Sequence, residues 1–208
     1  ALDSSNFTFI ETNYRDEYDS SYNISGYQLT FRADKPLSGK ITLPTSYNGK
    51  PIISLAIPAT ISNNGNLGDK NKNVTHIFWN DPNGDNPNLR VIETRTFLSW
   101  TFRYFEFPSK LRVAKELCCS LLWTTEAKQA MDETVLIRLL KAPLCTVGAE
   151  AFNSSFYIRT PTDLTFRGTL KYLGAKAFQL NGIVTEYLAN TPENSKGKIP
   201  NLTFGSPD

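Results

Sequence analysis

The sequence predicts a repeat solenoid, a β-rich chain in which short units stack side by side and share one core. Three observations lead to this prediction. A nine-residue pattern returns along the chain, a short strand signature precedes several copies, and an N-terminal segment without the pattern alternates apolar and polar residues. Self-similarity at roughly 20 to 50 residues is typical of stacked arrays, because one unit is too small to bury its own apolar edge.

The repeated pattern reads L-x-x-h-G-x-x-A-F, where h is any apolar residue. Its five copies are residues 52–60, 89–97, 111–119, 144–152 and 170–178. The last two copies are the best, whereas Ala56, Glu93 and Lys115 replace the glycine in the other three. Successive copies begin 37, 22, 33 and 26 residues apart. The predicted array is therefore irregular.

A short strand signature, in which two apolar residues flank one other residue, precedes the pattern. In residues 105–107 and 164–166 it stands at the same offset before Leu111 and Leu170. Alternate side chains of a strand point to opposite faces, so the apolar pair should enter the core and the middle residue should face outward. We expect these strands to lie side by side and to form a ladder of outward residues roughly 25 Å long. The middle residues of the five signatures are Thr42, Phe78, Glu106, Thr165 and Thr203.

Residues 1–38 carry no repeat and are predicted to form an N-terminal β-hairpin cap, with residues 39–208 as the array. Apolar and polar residues alternate in 7–10 and 22–31, which is typical of antiparallel strands. A solenoid needs such a cap because its end unit would otherwise expose the edge of the core. The alternative is that these strands pair with a neighbouring subunit.

Two insertions are predicted, near residues 62–74 and 120–136. The first is rich in Asn and Gly, as surface loops are. Within the second, residues 124–131 are predicted to form a short helix, because either of two threonines at its start can accept from free backbone amides. The next strand of the array is predicted near residues 137–140.

Composition excludes some partners. The 208 residues carry a net charge of +2 and are 20% charged, with basic residues scattered along the chain. We therefore expect no nucleic-acid partner. We also expect no membrane insertion, because no apolar run approaches the ~20 residues that a spanning helix needs. The chain begins at Ala1 and not at Met, so we expect a mature or truncated form that has lost an export signal.

Nothing in the spacing of reactive residues predicts catalysis, a metal site or a cofactor. His76 is the single histidine, and no signature places a cysteine beside it. Cys118, Cys119 and Cys145 are an odd number, so buried thiols are the preferred interpretation, with a bridge to Cys145 left open. Residues 81–92 begin like a calcium loop but lack its glycine and its final glutamate, which favours plain turns.

The outward residues of the predicted ladder are the candidate binding surface. Large aromatic side chains on such a face are over-represented among binding hot spots. The alternative is that the N-terminal cap or an insertion covers Phe78 and Tyr104. The candidate residues are His76, Phe78, Tyr104, Glu106 and Thr165.

The combined pattern resembles the leucine-rich repeat family, specifically the bacterial surface-protein type called BspA-like. Residues 39–55, with Asn48-Gly49-Lys50-Pro51 at their turn, resemble the way such arrays begin. The resemblance covers residues 39 to 204 and implies a right-handed superhelix with short helical or irregular segments. It also implies a non-enzymatic, exported or cell-surface module for adhesion to a protein or polysaccharide.

A structural subunit of a larger assembly, such as a virion or surface appendage, is the alternative function. The signature at residues 202–204 returns close to the end of the sequence, so the array is expected to continue or to be capped by another chain. Together with the strand-rich N-terminus, it offers unpaired strand edges to other subunits.

Overall fold

A computed structural model describes residues 3–122, 131–157, 164–179 and 202–205. Within these residues the chain is rich in short strands and has one α-helix, α1 (Glu133–Leu140), and two single-turn 3₁₀ helices, Ser4–Asn6 and Ser20–Tyr22. The strands are β1 (Phe7–Tyr14), β2 (Ile24–Phe31), β3 (Ser38–Leu43), β4 (Ser46–Tyr47), β5 (Lys50–Ala56), β6 (Asn73–Trp79), β7 (Val91–Ile92), β8 (Tyr104–Phe105), β9 (Val113–Ala114), β10 (Met131–Asp132), β11 (Thr146–Val147), β12 (Phe156–Tyr157), β13 (Leu164–Phe166), β14 (Tyr172–Leu173) and β15 (Leu202–Phe204).

The larger sheet contains all five copies of the repeated pattern. Its order is β1-β2-β5-β7-β9-β11-β14, with β4 paired to β5, and β5 to β14 run parallel. The copies meet in register, so the third and fourth positions of each pattern face the same positions of the next. The third positions are Ser54, Val91, Val113, Thr146 and Tyr172, and the fourth are Leu55, Ile92, Ala114, Val147 and Leu173.

The apolar positions of the pattern form the core. At the fourth position Leu55, Ile92 and Val147 are fully buried, and the leucines at the first position, Leu89 and Leu111, are buried with them. Burying one such side chain contributes roughly 2 kcal/mol of hydrophobic free energy. Because every copy places an apolar residue at the same point of the stack, the core runs from unit to unit.

The seventh pattern position has a left-handed backbone in four copies although none of these residues is glycine. The φ angles are 58° at Arg95, 56° at Leu117, 55° at Glu150 and 57° at Lys176. In the first three, the backbone N–H at this position donates to a carbonyl of the next copy, as from Glu150 to Ala175 at 2.9 Å. The hydrogen bonds between stacked turns therefore offset the cost of the left-handed backbone, which is roughly 1 kcal/mol in a residue with a side chain.

The glycines of the two best copies are required by close approach between neighbouring turns. A Cβ atom on Gly148 would lie 2.5 Å from the backbone nitrogen of Glu116, and one on Gly174 would lie 2.4 Å from that of Ala149. Lys115, at the same position in the preceding copy, instead forms a 2.6 Å ion pair with Glu93. The glycine position of the last two copies therefore has no room for a side chain.

The N-terminal strands form an antiparallel hairpin whose second strand, β2, pairs in parallel with β5. The connection between β1 and β2, residues 15–23, reaches the second pattern position of several copies. The side chain of Arg112 binds Asp16 at 2.7 Å, and Arg90 donates to the carbonyl of Tyr22 at 3.2 Å. The hairpin is therefore attached to the array by its loop as well as by its strand.

The strand signatures lie in smaller sheets, and α1 interrupts their row. β3, β6 and β8 form a parallel three-stranded sheet, β10 pairs with β12, and β13 pairs with β15. The prediction of one continuous ladder is therefore wrong, because residues 105–107 and 164–166 belong to separate sheets. Hydrogen bonds place α1 between them: Arg138 donates to the carbonyl of Phe107, and Arg167 donates to that of Lys141.

The strand predicted at residues 137–140 is wrong, because these residues belong to α1. Asp132 caps the helix by accepting hydrogen bonds from the backbone amides of Thr134 and Val135. Buried residues recur at helical spacing, at 135, 136, 139 and 140, while Ile137 is exposed. Of the helix predicted over 124–131, only Met131 lies within the described residues, and it belongs to β10.

Candidate functional site

Three aromatic rings form a cluster on the outer face of the three-stranded sheet. The rings of His76 and Phe78 stack with centroids 5.9 Å apart and planes 9° apart. The ring of Tyr104 lies 5.9 Å from His76 and 5.3 Å from Phe78. All three side chains are half-buried, so part of each ring is open to solvent. We call this group the ring cluster.

Strand alternation places these rings. Ile77 and Trp79 of β6 enter the core, so His76 and Phe78 point to the opposite face. In the neighbouring strand Tyr104 pairs with His76, and the strand on the other side brings Lys40 opposite His76 and Thr42 opposite Phe78. The predicted grouping of His76, Phe78 and Tyr104 on one face is what the structure has.

Two cations border the ring cluster. Lys40 and Arg103 are both exposed, and neither forms an ion pair within the described part of the chain. Burial, together with the charges of Arg103 and Lys40, lowers the pKa of His76. The imidazole is therefore neutral at pH 7, and its Nδ1 lies 2.9 Å from the hydroxyl of Thr75.

The hydroxyl of Tyr104 stays protonated at neutral pH. Burial raises its pKa, and the nearby carboxylate of Glu106 adds to that effect. The guanidinium of Arg138 also lies nearby, but its Nε donates to the carbonyl of Phe107 and its Nη2 to that of Gly84. Arg138 thus fixes loop backbone, and its charge adds to those of Lys40 and Arg103 beside the rings.

Glu106 stabilises the fold beside the ring cluster. Its Oε2 accepts a 2.9 Å hydrogen bond from the backbone N–H of Trp79, and its own carbonyl accepts one from the Trp79 indole at 2.7 Å. The side chain also lies against Gly84, where an added Cβ would be 2.8 Å from Oε1. Glu106 therefore positions the end of β6, a role that the sequence did not indicate.

Thr165 does not join the ring cluster, which corrects the predicted site. It is exposed on β13, beyond α1, and lines a separate groove of about 460 Å³ with Ile137, Leu140, Lys141 and Arg167. The reason is the inserted helix, which occupies the place where another signature strand was predicted.

Three segments were expected as alternative covers of Phe78 and Tyr104. Asp132, in the insertion near 120–136, lies close enough to Tyr104 to affect its pKa. The N-terminal hairpin and the insertion near 62–74 are attached elsewhere. The N-terminal hairpin joins the larger sheet through β2 and β5. The insertion near 62–74 is bound by Arg95, which donates to the carbonyls of Ser62 and Gly65, and by Thr101, which donates to that of Lys72. Both sets of contacts lie on other elements than the ring cluster.

A second concave region, which the sequence did not indicate, lies on the outer face of the larger sheet. A groove of about 260 Å³ is lined by Tyr14 and Arg15 of the hairpin and by Ser54, Val91 and Val113 of the repeats. The last three are third-position residues, which alternate with the buried fourth position. That alternation predicts that third-position residues face away from the core. It does not predict that the N-terminal hairpin forms the other wall of the groove.

The cysteines and acidic residues of the described chain form no reactive site. Cys118, Cys119 and Cys145 are free and buried, and burial raises the pKa of all three thiols. In residues 3–122, 131–157, 164–179 and 202–205 no three His, Cys, Asp or Glu side chains gather as metal ligands. The side chain of Asp81 accepts from the backbone of its own loop, as expected for a turn.

No described helix has the length and apolar character required to cross a lipid bilayer. α1, at Glu133–Leu140, has eight residues.

The fold and site define a strand-rich repeat protein with parallel sheets, little helix and an outward aromatic cluster. No family model matches the sequence, and no curated protein matches it. Among solved structures the chain is similar to the leucine-rich repeat protein TpLRR of T. pallidum, with a TM-score of 0.49 and 16% identity. The likeness covers 86% of this chain and 66% of that one, so this chain spans just under two thirds of its neighbour. The neighbour is a leucine-rich repeat protein, and the likeness concerns the fold alone.

Proposed function

We propose that the chain is a leucine-rich repeat solenoid of the BspA type, coiled as a right-handed superhelix, which acts as a non-enzymatic binding and adhesion module. It is exported or displayed at a cell surface, as the family resemblance implies. Its ligand is a protein or a polysaccharide. The ring cluster is the contact site.

The observation that carries this proposal is the ring cluster with Lys40 and Arg103 beside it, neither of which forms an ion pair with any described residue. Aromatic side chains and arginine are enriched among residues that dominate binding energy. Phe78 and Tyr104 lie on paired strands, so their positions are set before a ligand arrives and little ordering entropy is lost on binding. The buried thiols and the low-pKa imidazole, in contrast, offer no activated nucleophile next to a general base.

A glycan and matrix-protein binding array, probed with the purified chain and with Phe78→Ala, tests the proposal. We expect the chain to capture at least one class of ligand and the variant to lose most of that signal. Circular dichroism and a thermal melt establish that the variant is folded. Thr165→Ala is the matched control, because that side chain lies beyond α1. Equal capture by both variants and the parent chain would discard the assignment.

The structural-subunit function remains a second candidate because of β14, the last strand of the larger sheet within the described residues. Tyr172 and Leu173 of β14 are 56% and 41% exposed, although the fourth position is buried in the other four copies. Exposed apolar residues on a strand edge favour pairing with another chain. Light scattering at micromolar concentration separates the candidates: a stable monomer contradicts assembly, and a Tyr172→Lys variant should dissolve any oligomer formed through β14.

A further inference from the structure

The chemistry around the ring cluster is more specific than a general aromatic patch. Its rings form one apolar surface, in which the planes of His76 and Phe78 are nearly parallel, 9° apart, and the plane of Tyr104 is inclined by 39° to that of Phe78. Its border is cationic, with Lys40 in the adjoining strand and Arg103 immediately before Tyr104. A ligand that fits must combine a flat, weakly polar face with negative charge at its edge.

We propose that the ring cluster binds an acidic carbohydrate, a sugar chain that carries carboxylate or sulfate groups. This inference rests on the proposed function and names the ligand class of the same site. The C–H face of a pyranose ring lies on Phe78 and Tyr104, and the anionic group lies between Lys40 and Arg103. Arginine suits carboxylate and sulfate because its planar fork donates two parallel hydrogen bonds.

Nearby carboxylates reduce this positive charge but do not cancel it. Lys40, Arg103 and Arg138 carry three positive charges around the ring cluster, and Glu106 and Asp132 carry two negative ones. Hydrogen bonds from the backbone of Trp79 and from a backbone amide of α1 hold these two carboxylates in place. The neutral imidazole of His76 adds no charge of its own at pH 7, and a bound anion would favour its protonated form.

The single histidine makes the site directly observable. In a proton NMR spectrum the imidazole C–H signals of His76 have no histidine background. We would titrate the chain with tetragalacturonate, with a sulfated tetrasaccharide and with uncharged cellotetraose. We expect either acidic sugar to shift these signals and raise the pKa of His76, and cellotetraose to bind at least roughly tenfold more weakly.

Two variants assign the contributions. Lys40→Gln combined with Arg103→Gln should weaken acidic tetrasaccharide binding roughly five- to tenfold and leave cellotetraose unaffected. Phe78→Leu, which keeps an apolar side chain on the sheet, should weaken binding of both sugars by roughly tenfold. The matched charge control, Lys171→Gln combined with Lys176→Gln, removes two cations from the last repeat and should change nothing.

Several results would overturn the inference. The first is that neither acidic sugar changes the His76 signals. The second is that cellotetraose binds as tightly as the acidic sugars. The third is that inorganic sulfate alone binds as tightly as they do, which would indicate an anion site without sugar recognition. If acidic sugars fail while Phe78→Ala still abolishes capture of a protein ligand on the array, only this inference falls and the proposed function stands. If Phe78→Ala changes no capture at all, the proposed function falls as well.

Discussion

The buried ion pair between Asp16 and Arg112 predicts a large loss of stability when the acid is neutralised. Their side chains are 1% and 3% exposed, and Arg112 Nε lies 2.7 Å from Asp16 Oδ2. The carboxylate also accepts from the Tyr14 hydroxyl at 2.6 Å and from two backbone amides of its own loop. Asp16→Asn leaves the guanidinium buried without a counter-charge, and an amide cannot replace all these acceptor sites.

We expect Asp16→Asn to lower the free energy of unfolding by about 3–5 kcal/mol, the usual effect of removing one partner of a buried pair. Urea denaturation followed by circular dichroism measures this loss. The slope of the unfolding free energy against urea concentration should be the same in the variant and in the parent chain. Glu11→Gln is the matched control, because the Glu11–Lys50 pair is exposed and should contribute nothing measurable. A loss below about 1 kcal/mol for Asp16→Asn would refute the reasoning, since a buried uncompensated charge costs more than that.

The same pair predicts how stability depends on pH. Burial alone would raise the pKa of Asp16, but hydrogen bonds from Arg112, Tyr14 and the loop amides outweigh burial and lower it. A carboxyl whose folded pKa is lowered stabilises the fold above its unfolded pKa, and that contribution is lost as the pH falls. The parent chain should therefore lose stability below about pH 4, and Asp16→Asn should lose less over the same interval. Parallel losses in the two proteins would contradict the assignment.

Three further predictions concern the repeat turns and Glu106. Gly148→Ala should lower the free energy of unfolding by about 1–3 kcal/mol in a thermal melt, because the added Cβ would lie 2.5 Å from the backbone nitrogen of Glu116. Ala175→Ser is the control, because Ala175 is exposed in the next turn. Lys176→Gly should gain about 0.5–1 kcal/mol in urea denaturation because its φ is 57°, whereas Lys176→Ala should not; equal effects would exclude backbone strain. Glu106→Ala should cost about 1–3 kcal/mol by leaving the backbone N–H of Trp79 without its acceptor, and Glu106→Gln, which keeps an oxygen there, should cost less.

The stacking of the repeats was predictable because it depends on local pattern. Each copy places apolar residues at its first and fourth positions, and the copies at Leu89, Leu111 and Leu144 follow this rule despite unequal spacing. The structure joins them in sequence order, but through short strands at the third and fourth pattern positions, where no strand was predicted. Side-chain alternation likewise sufficed to place His76 and Phe78 on one face of β6.

The helix α1 was not predictable by the same means. Residues 137–140 read Ile-Arg-Leu-Leu, and a short apolar run does not distinguish a strand from a buried helix. The decisive features were the Asp132 cap and the buried pair Val135 and Leu136, which extend the apolar face by one turn. Because α1 lies between β8 and β13, Thr165 is outside the ring cluster.

Contacts between residues far apart in the chain were also not predictable from local sequence patterns. Asp16 and Arg112 are 96 residues apart, and no local pattern indicates that the hairpin loop crosses to the third repeat. The alternation of its neighbours predicts Glu106 to be an outward binding residue. Its carboxylate instead turns to the backbone of Trp79, a partner 27 residues earlier. Asp16 and Glu106 thus each connect two separate elements through a carboxylate. Such roles depend on tertiary contacts that a local sequence pattern does not contain.

The Glu106 carboxylate explains how a surface built from short strands can hold a binding site rigidly. β8 spans two residues, so its own ladder bonds to β6 are few. The Glu106 carboxylate and the Trp79 indole add two hydrogen bonds, at 2.9 and 2.7 Å, directly after the ring cluster. The strand carrying Tyr104 is thereby fixed to the strand carrying His76 and Phe78. Because the rings are positioned in advance, ligand binding there costs little side-chain ordering, and variants of Glu106 should weaken recognition even though Glu106 need not touch the ligand.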